Sequence, residues 1–144
     1  RGLVGALRPE GAADFARAIP TTDRAPKVAR REFTHEGRTT TVLAIAKGAG
    51  MIHPDMATTL AFVLTDACVD PETLRRVLRE ATDHTFNRIT VDGDTSTNDC
   101  ILALASGQGA STVVDAFSSA LRETPDVVPR MIVAGGEGAA AWYT

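Results

Sequence analysis

KGAGMIHPDMATTLAFVLTDA, residues 47–67, decides how this chain is read. It opens on a lysine in a glycine-containing loop and closes on an apolar run, Leu60 to Leu64. The run does not alternate, which predicts a central strand over Thr59 to Thr65, buried on both faces. Gly48, Gly50 and Pro54 make Lys47 to Ala57 a loop. Thr58 therefore falls where loop becomes strand. A threonine there is either a turn residue or a nucleophile held on the end of a rigid element. Its hydroxyl is a poor nucleophile at neutral pH and needs a nearby base. A chain break just before it would supply one, because an α-amine has a pKa of about 7.7–8.0. The small Ala57 side chain would leave the scissile carbonyl open. On the residues alone, a strand-initiating threonine is the simpler account.

Upstream, Val28 to Thr34 and Thr39 to Ala46 are strand-like, and Gly37 between them suits a hairpin turn. Asp14 to Ala18 reads as the end of a helix broken at Pro20, with Thr21-Thr22-Asp23 as a polar turn. Downstream, Asp70-Pro71-Glu72 is a helix start: an N-cap, a proline in the first turn and an acid near the positive end of the dipole. Leu74, Val77, Leu78 and Ala81 follow at amphipathic spacing. Arg88 to Val91 is expected to be a short strand, and Cys100 to Ala105 another, stopped by Gly107 and Gly109. Thr112 and Asp115 form a capping-box pattern before Val113, Phe117, Ala120 and Leu121. Pro125 is expected to open a separate third segment running toward Tyr143, in which Gly135-Gly136 would serve a close backbone approach. Strand pairs mixed with helices predict an α+β or layered α/β fold.

At 144 residues the chain is long enough for one domain with its own core. A net charge of -3 gives no basic footprint, so nucleic acid is not an expected partner. The cluster Lys27, Arg30, Arg31 reads as a solvated strand face. No apolar run approaches the roughly 18 residues of a membrane helix, and no membrane partner is expected. Cys68 and Cys100 form no CxxC pair, which fits reduced thiols acting as small core hydrophobes in a cytoplasmic protein. His35, His53 and His84 lack metal-ligand spacing, and no metal is expected.

Two further stretches concentrate polar chemistry. DGDTSTND, residues 92–99, places Asp92, Asp94, Ser96 and Asn98 like the first ligands of a calcium loop. Thr97 stands where the turn glycine belongs, however, and Ala103 where the bidentate glutamate belongs, which excludes an EF-hand. The stretch is either a self-satisfied turn between strands or a loop beside an active site. KGAG at 47–50 and GGEGA at 135–139 are too short to specify a phosphate or dinucleotide loop.

Taken in order, TTD, KGAGMIHPDMATTLAFVLTDA, FNRITVDGDTSTND and GGEGA resemble the glutamate N-acetyltransferase (ornithine acetyltransferase) family of arginine biosynthesis. The likeness runs from about Ala13 to about Ala140. It implies a layered α/β sandwich shared with N-terminal-nucleophile aminopeptidases. It also implies a precursor that cuts its own Ala57–Thr58 bond. Residues 1–57 would end an α chain and residues 58–144 begin a β chain, assembling as α2β2. Thr58 would carry acetyl from N2-acetyl-L-ornithine to L-glutamate through an acetyl-threonine. The family's substrate contacts, carried over motif by motif, fall on Thr21, Lys47, Thr58 and Glu137. No cofactor is implied, although some relatives accept acetyl-CoA as donor.

The chain departs from the family pattern in places. Thr59 replaces the family's usual methionine and sets a second hydroxyl beside Thr58. Gly136 replaces an acid before Glu137. The family's oxyanion-hole motif and its C-terminal contacts are not in the sequence, which is expected to be the central part of a protein about three times longer. Loss of oxyanion donors costs about 10²–10³ in rate. The rival expectations are an aminopeptidase-like hydrolase and a non-catalytic fragment of the acetyltransferase.

Overall fold

The computed structural model describes residues 5, 8, 10–35, 37–53, 59–94, 98–109 and 114–136. Helix α1 (Gly11–Ala18) leads to strands β1 (Lys27–His35), β2 (Arg38–Lys47) and β3 (Leu60–Thr65). Helix α2 (Pro71–His84) and a 3₁₀ turn (Phe86–Arg88) precede β4 (Cys100–Ala105) and the long helix α3 (Val114–Ala134). The strands form one sheet in the order β1-β2-β3-β4. The first two pairings are antiparallel and β3–β4 is parallel. A parallel neighbour needs a crossover, and α2 supplies it.

The expected hairpin is present. His35 pairs with Arg38 across a turn in which Gly37 has φ +75°, a left-handed conformation that side chains disfavour. The expected α2 start is also present: the Asp70 carboxylate accepts from the N–H groups of Glu72 and Thr73, at 3.0 and 2.9 Å. Val77 and Ala81 on its inner face are buried.

β3 is central, as predicted, but its two faces differ. Ala61, Val63 and Thr65 are buried, whereas Leu60, Phe62 and Leu64 are half-buried. The first face packs with Ala29, Val42, Ala44 and Ala46 of β1 and β2 against α2 and α3. On the other face Phe15 of α1 meets the ring of Phe62 edge-on, centroids 4.9 Å apart. Leu102 and Leu104, on β4, are 46% and 60% exposed.

Four expectations are corrected. Arg88 to Val91 is no strand: the chain makes a 3₁₀ turn and then a backbone bond from Val91 N–H to the Ile52 carbonyl, 2.9 Å. Pro125 opens no new segment, because α3 runs through it. An interior proline costs about 3 kcal/mol. Phe117, Leu121, Val128 and Ile132 are fully buried along that helix, and each such side chain contributes about 1.5–3 kcal/mol, so packing outweighs the break. Lys27 belongs to no solvated face, being buried beside Asp23. Cys68 is exposed and Cys100 only half-buried, and both thiols are free. Thr112 of the expected capping box lies outside the described residues. Among the described residues, no helix is long and apolar enough to cross a membrane.

Candidate active site

The register brings three strand ends together. Lys47, the last residue of β2, pairs with Leu60, the first of β3, which pairs in turn with Cys100, the first of β4. Lys47, Thr59 and Asp99 therefore stand at one end of the sheet. Thr59 is 4% exposed, and both its backbone groups are held. Its N–H donates to Asp99 Oδ1, and its carbonyl accepts from Cys100 N at 3.0 Å. The residue following Thr58 is thus fixed to the sheet.

Asp99, like Asp23, anchors the backbone through one carboxylate oxygen. Its second oxygen, Oδ2, is buried with no hydrogen-bond partner among the described residues. Burial pushes its carboxyl above the ordinary aspartate range, and the Thr59 N–H and the nearby Lys47 charge offset only part of that rise.

The loop after β2 is clamped from two sides. On one side, Asp23 Oδ1 accepts from Gly48 N at 2.8 Å and from Lys27 Nζ. The Asp23 and Lys27 side chains are 1% and 3% exposed. Burial works against the Asp23 anion, but Lys27 and the N–H groups of Gly48 and Thr21 outweigh it and hold its pKa below the usual value. On the other side, Asp92 accepts from Met51 N–H and, at 3.0 Å, from Ile52 N–H. Thr90 Oγ1 adds a bond to the Ile52 carbonyl, 3.0 Å. Met51 sits at φ +52° between these clamps. A side chain in that region is uncommon, and held strain of this kind clusters at functional sites. Asp92 is an exposed residue; partial desolvation opposes its charge, and the Met51, Asp94 and Ile52 N–H groups outweigh it, lowering its pKa.

Between the clamps lies a cavity of about 290 Å³ lined by Thr21, Lys47, Gly48, Met51 and Asp92, among others. The end of α3 reaches the same region. A Cβ on Gly136 would stand 2.9 Å from Val91 Cγ1, and one on Gly135 would stand 3.9 Å from Lys27 Nζ. The Gly135-Gly136 pair thus closes the helix, and at Gly136 the close backbone approach expected from the sequence is present.

Thr21 and Lys47, singled out in the sequence, meet on this cavity. Ala57, Thr58 and Glu137 lie outside the described residues, although their neighbours Thr59 and Gly136 flank the same end of the sheet. Sequence reasoning took Lys27 as solvated and Asp23 only as part of a turn, and it did not separate the duties of Asp92 and Asp99. The signal available for the last two was the density of acids in DGDTSTND.

A family model places the chain among known proteins: that of the ArgJ family matches residues 2–144. The chain belongs to the ArgJ family. The arginine biosynthesis bifunctional protein ArgJ of Symbiobacterium thermophilum is 51% identical over 96% of this chain and 36% of its own length. That of Pseudomonas syringae pv. tomato is 44% identical over 90% of this chain and 34% of its own. The chain thus spans about a third of the length of these ArgJ relatives. A crystal structure of ArgJ from Bacillus halodurans superposes with a TM-score of 0.52 at 41% identity, covering 55% of this chain and 40% of that one. The PH0078 protein of Pyrococcus horikoshii gives a TM-score of 0.54 at 13% identity, covering 77% of this chain and 40% of its own, a likeness of fold alone. The α+β class read from the sequence is that of an ArgJ segment.

Proposed function

We propose that this ArgJ segment carries the nucleophile of an acetyltransferase moving acetyl from N2-acetyl-L-ornithine to L-glutamate. The observation that carries the reading is the anchoring of Thr59 at the strand end, beside Lys47 and the cavity. A nucleophile one residue earlier would adjoin a rigid element, which favours its orientation. Self-cleavage at Ala57–Thr58 would free the Thr58 α-amine. That amine would take the hydroxyl proton as Oγ attacks the acetyl carbonyl, forming an acetyl-threonine and releasing ornithine. The glutamate amine would then attack the ester and regenerate Thr58.

Lys47 would pair with the substrate α-carboxylate, since a cation on the cavity wall makes a charge-assisted bond to that group. Glu137 would take the δ-ammonium of ornithine, and Thr21 would line the cavity as a hydroxyl contact. The relatives' description as bifunctional supports a second use of the same acetyl-enzyme with acetyl-CoA as donor. Acting in the cytoplasm, the α and β chains would assemble as α2β2.

The test is the Thr58→Ala variant of the full-length protein, followed by intact mass and an acetylornithine-plus-glutamate assay. One uncut chain and no transfer are expected. A cut, active Thr58→Ala protein would remove the nucleophile from this position, with Thr59 the next to examine. Acetylornithine hydrolysis without glutamate acceptance would favour the hydrolase reading instead.

A further inference from the structure

Among the described residues, Met51 is the only non-glycine with a left-handed backbone, φ +52°. Glycine would adopt that conformation without steric cost, and the loop has glycine at 48 and 50 but not here. Two anchors enforce it. Asp92 accepts from the N–H groups of Met51 and Ile52. The Ile52 side chain is buried in the core, and its carbonyl accepts from Val91 N–H and Thr90 Oγ1. Met51 itself is 46% exposed and lines the cavity. The other lining residues are Lys47, two threonines, Asp92 and the Gly48-Ala49-Gly50 stretch. Met51 is therefore the one large hydrophobic residue on that wall.

We propose that Met51 is a specificity-determining residue, its thioether chain forming the apolar wall along which the methylenes of both substrates lie. The inference rests on the acetyltransferase reading of this cavity. That reaction makes two demands on such a wall. The ornithine side chain is one methylene longer than that of glutamate, and it ends in a cation where glutamate ends in an anion. A wall that serves both in turn carries no charge and fits two lengths. An unbranched, polarizable side chain with three rotatable bonds does this. The clamped backbone keeps the chain over the cavity while its rotamers adjust. The same wall limits how long an aliphatic chain the cavity accepts.

The experiment uses the full-length protein with Met51→Ala, Met51→Leu and Thr58→Ala. It compares N2-acetyl-L-ornithine with N2-acetyl-L-lysine, a donor one methylene longer. Met51→Ala is expected to raise KM for acetylornithine and for glutamate about fivefold or more, with kcat within about threefold, since covering one methylene is worth about a factor of four in affinity. Its kcat/KM for acetyllysine relative to acetylornithine should rise at least about fivefold, because truncation makes room for the extra methylene. Met51→Leu, of similar volume, should keep that donor ratio within about twofold of wild type. An unchanged donor ratio in Met51→Ala would overturn the proposal. So would an equal fall in kcat for both donors, which is what a misplaced loop produces. If Met51→Ala does not fold, Met51→Gly decides by the same ratio, because glycine suits the left-handed backbone and also lacks the side chain. A dead Thr58→Ala with an unaffected Met51→Ala would sink this inference alone. An active Thr58→Ala would sink the reading beneath it.

Discussion

The Asp23 carboxylate holds the backbone N–H of Gly48 at 2.8 Å while it pairs with Lys27. Two stretches 25 residues apart, the TTD turn and the KGAG loop, are joined by that one side chain. The pair is almost fully buried, and removing one partner of a buried ion pair costs about 3–5 kcal/mol because the other charge is left alone. Asp23→Ala is therefore expected to lower the unfolding free energy by about that amount, read from urea denaturation of the full-length protein. The pH dependence has a definite sign. The Asp23 pKa is lowered on folding, so its contribution is complete above the unfolded aspartate value near 3.9 and fades as pH falls through the folded value. The variant should lose this part of the acid dependence, and an identical acid slope in both proteins would contradict the assignment.

Lys47 ends β2 half-buried beside the cavity. It is not one of the apolar core residues, to which Val42 and Ala44 belong. Lys47→Ala should consequently change stability by less than about 1 kcal/mol. Its loss should raise KM for acetylornithine tenfold or more, because a hydrogen bond to a charged group contributes about 1.5–3 kcal/mol and each 1.4 kcal/mol is a factor of ten. It should also push the Asp99 carboxyl further up, since the Lys47 charge is one of the influences lowering it. An unchanged KM would remove Lys47 from the substrate contacts.

Elements governed by neighbours in the chain were legible. The Gly37 turn, the Asp70 cap and the apolar run of β3 depend on a few adjacent residues, and each formed where read. What depends on distant partners was not legible. Lys27 looked solvated beside Arg30 and Arg31 because nothing local shows Asp23 folding over it. Ile89-Thr90-Val91 has strand composition, but in place of a ladder Ile89 N–H bonds back to the Phe86 carbonyl, and Thr90 and Val91 bond to the Ile52 carbonyl. Pro125 reads as a break until the buried stripe on both sides of it is counted. At the site, the family motifs picked out Thr21 and Lys47, which the structure sets on one cavity, whereas the carboxylates that hold the backbone around them emerged only from the fold.

Gly136 offers the sharpest steric test of how the α3 terminus is placed. A Cβ there meets Val91 Cγ1 at 2.9 Å and the Val133 carbonyl at 3.3 Å. Val91 cannot turn aside cheaply, because a β-branched side chain has few χ1 options. Overpacking of this kind costs about 1–3 kcal/mol. Gly136→Ala should therefore destabilise the protein by that amount. It should also displace the segment leading to Glu137, raising KM for acetylornithine more than it lowers kcat. Val91→Ala in the same chain removes the colliding methyl groups. The double variant is expected to recover most of the Gly136→Ala stability loss and to bring KM back toward wild type, as measured by thermal melts and initial rates on the four proteins of the cycle. Additive losses would mean that Val91 is not what Gly136 makes room for, and that the glycine is needed there for its backbone alone.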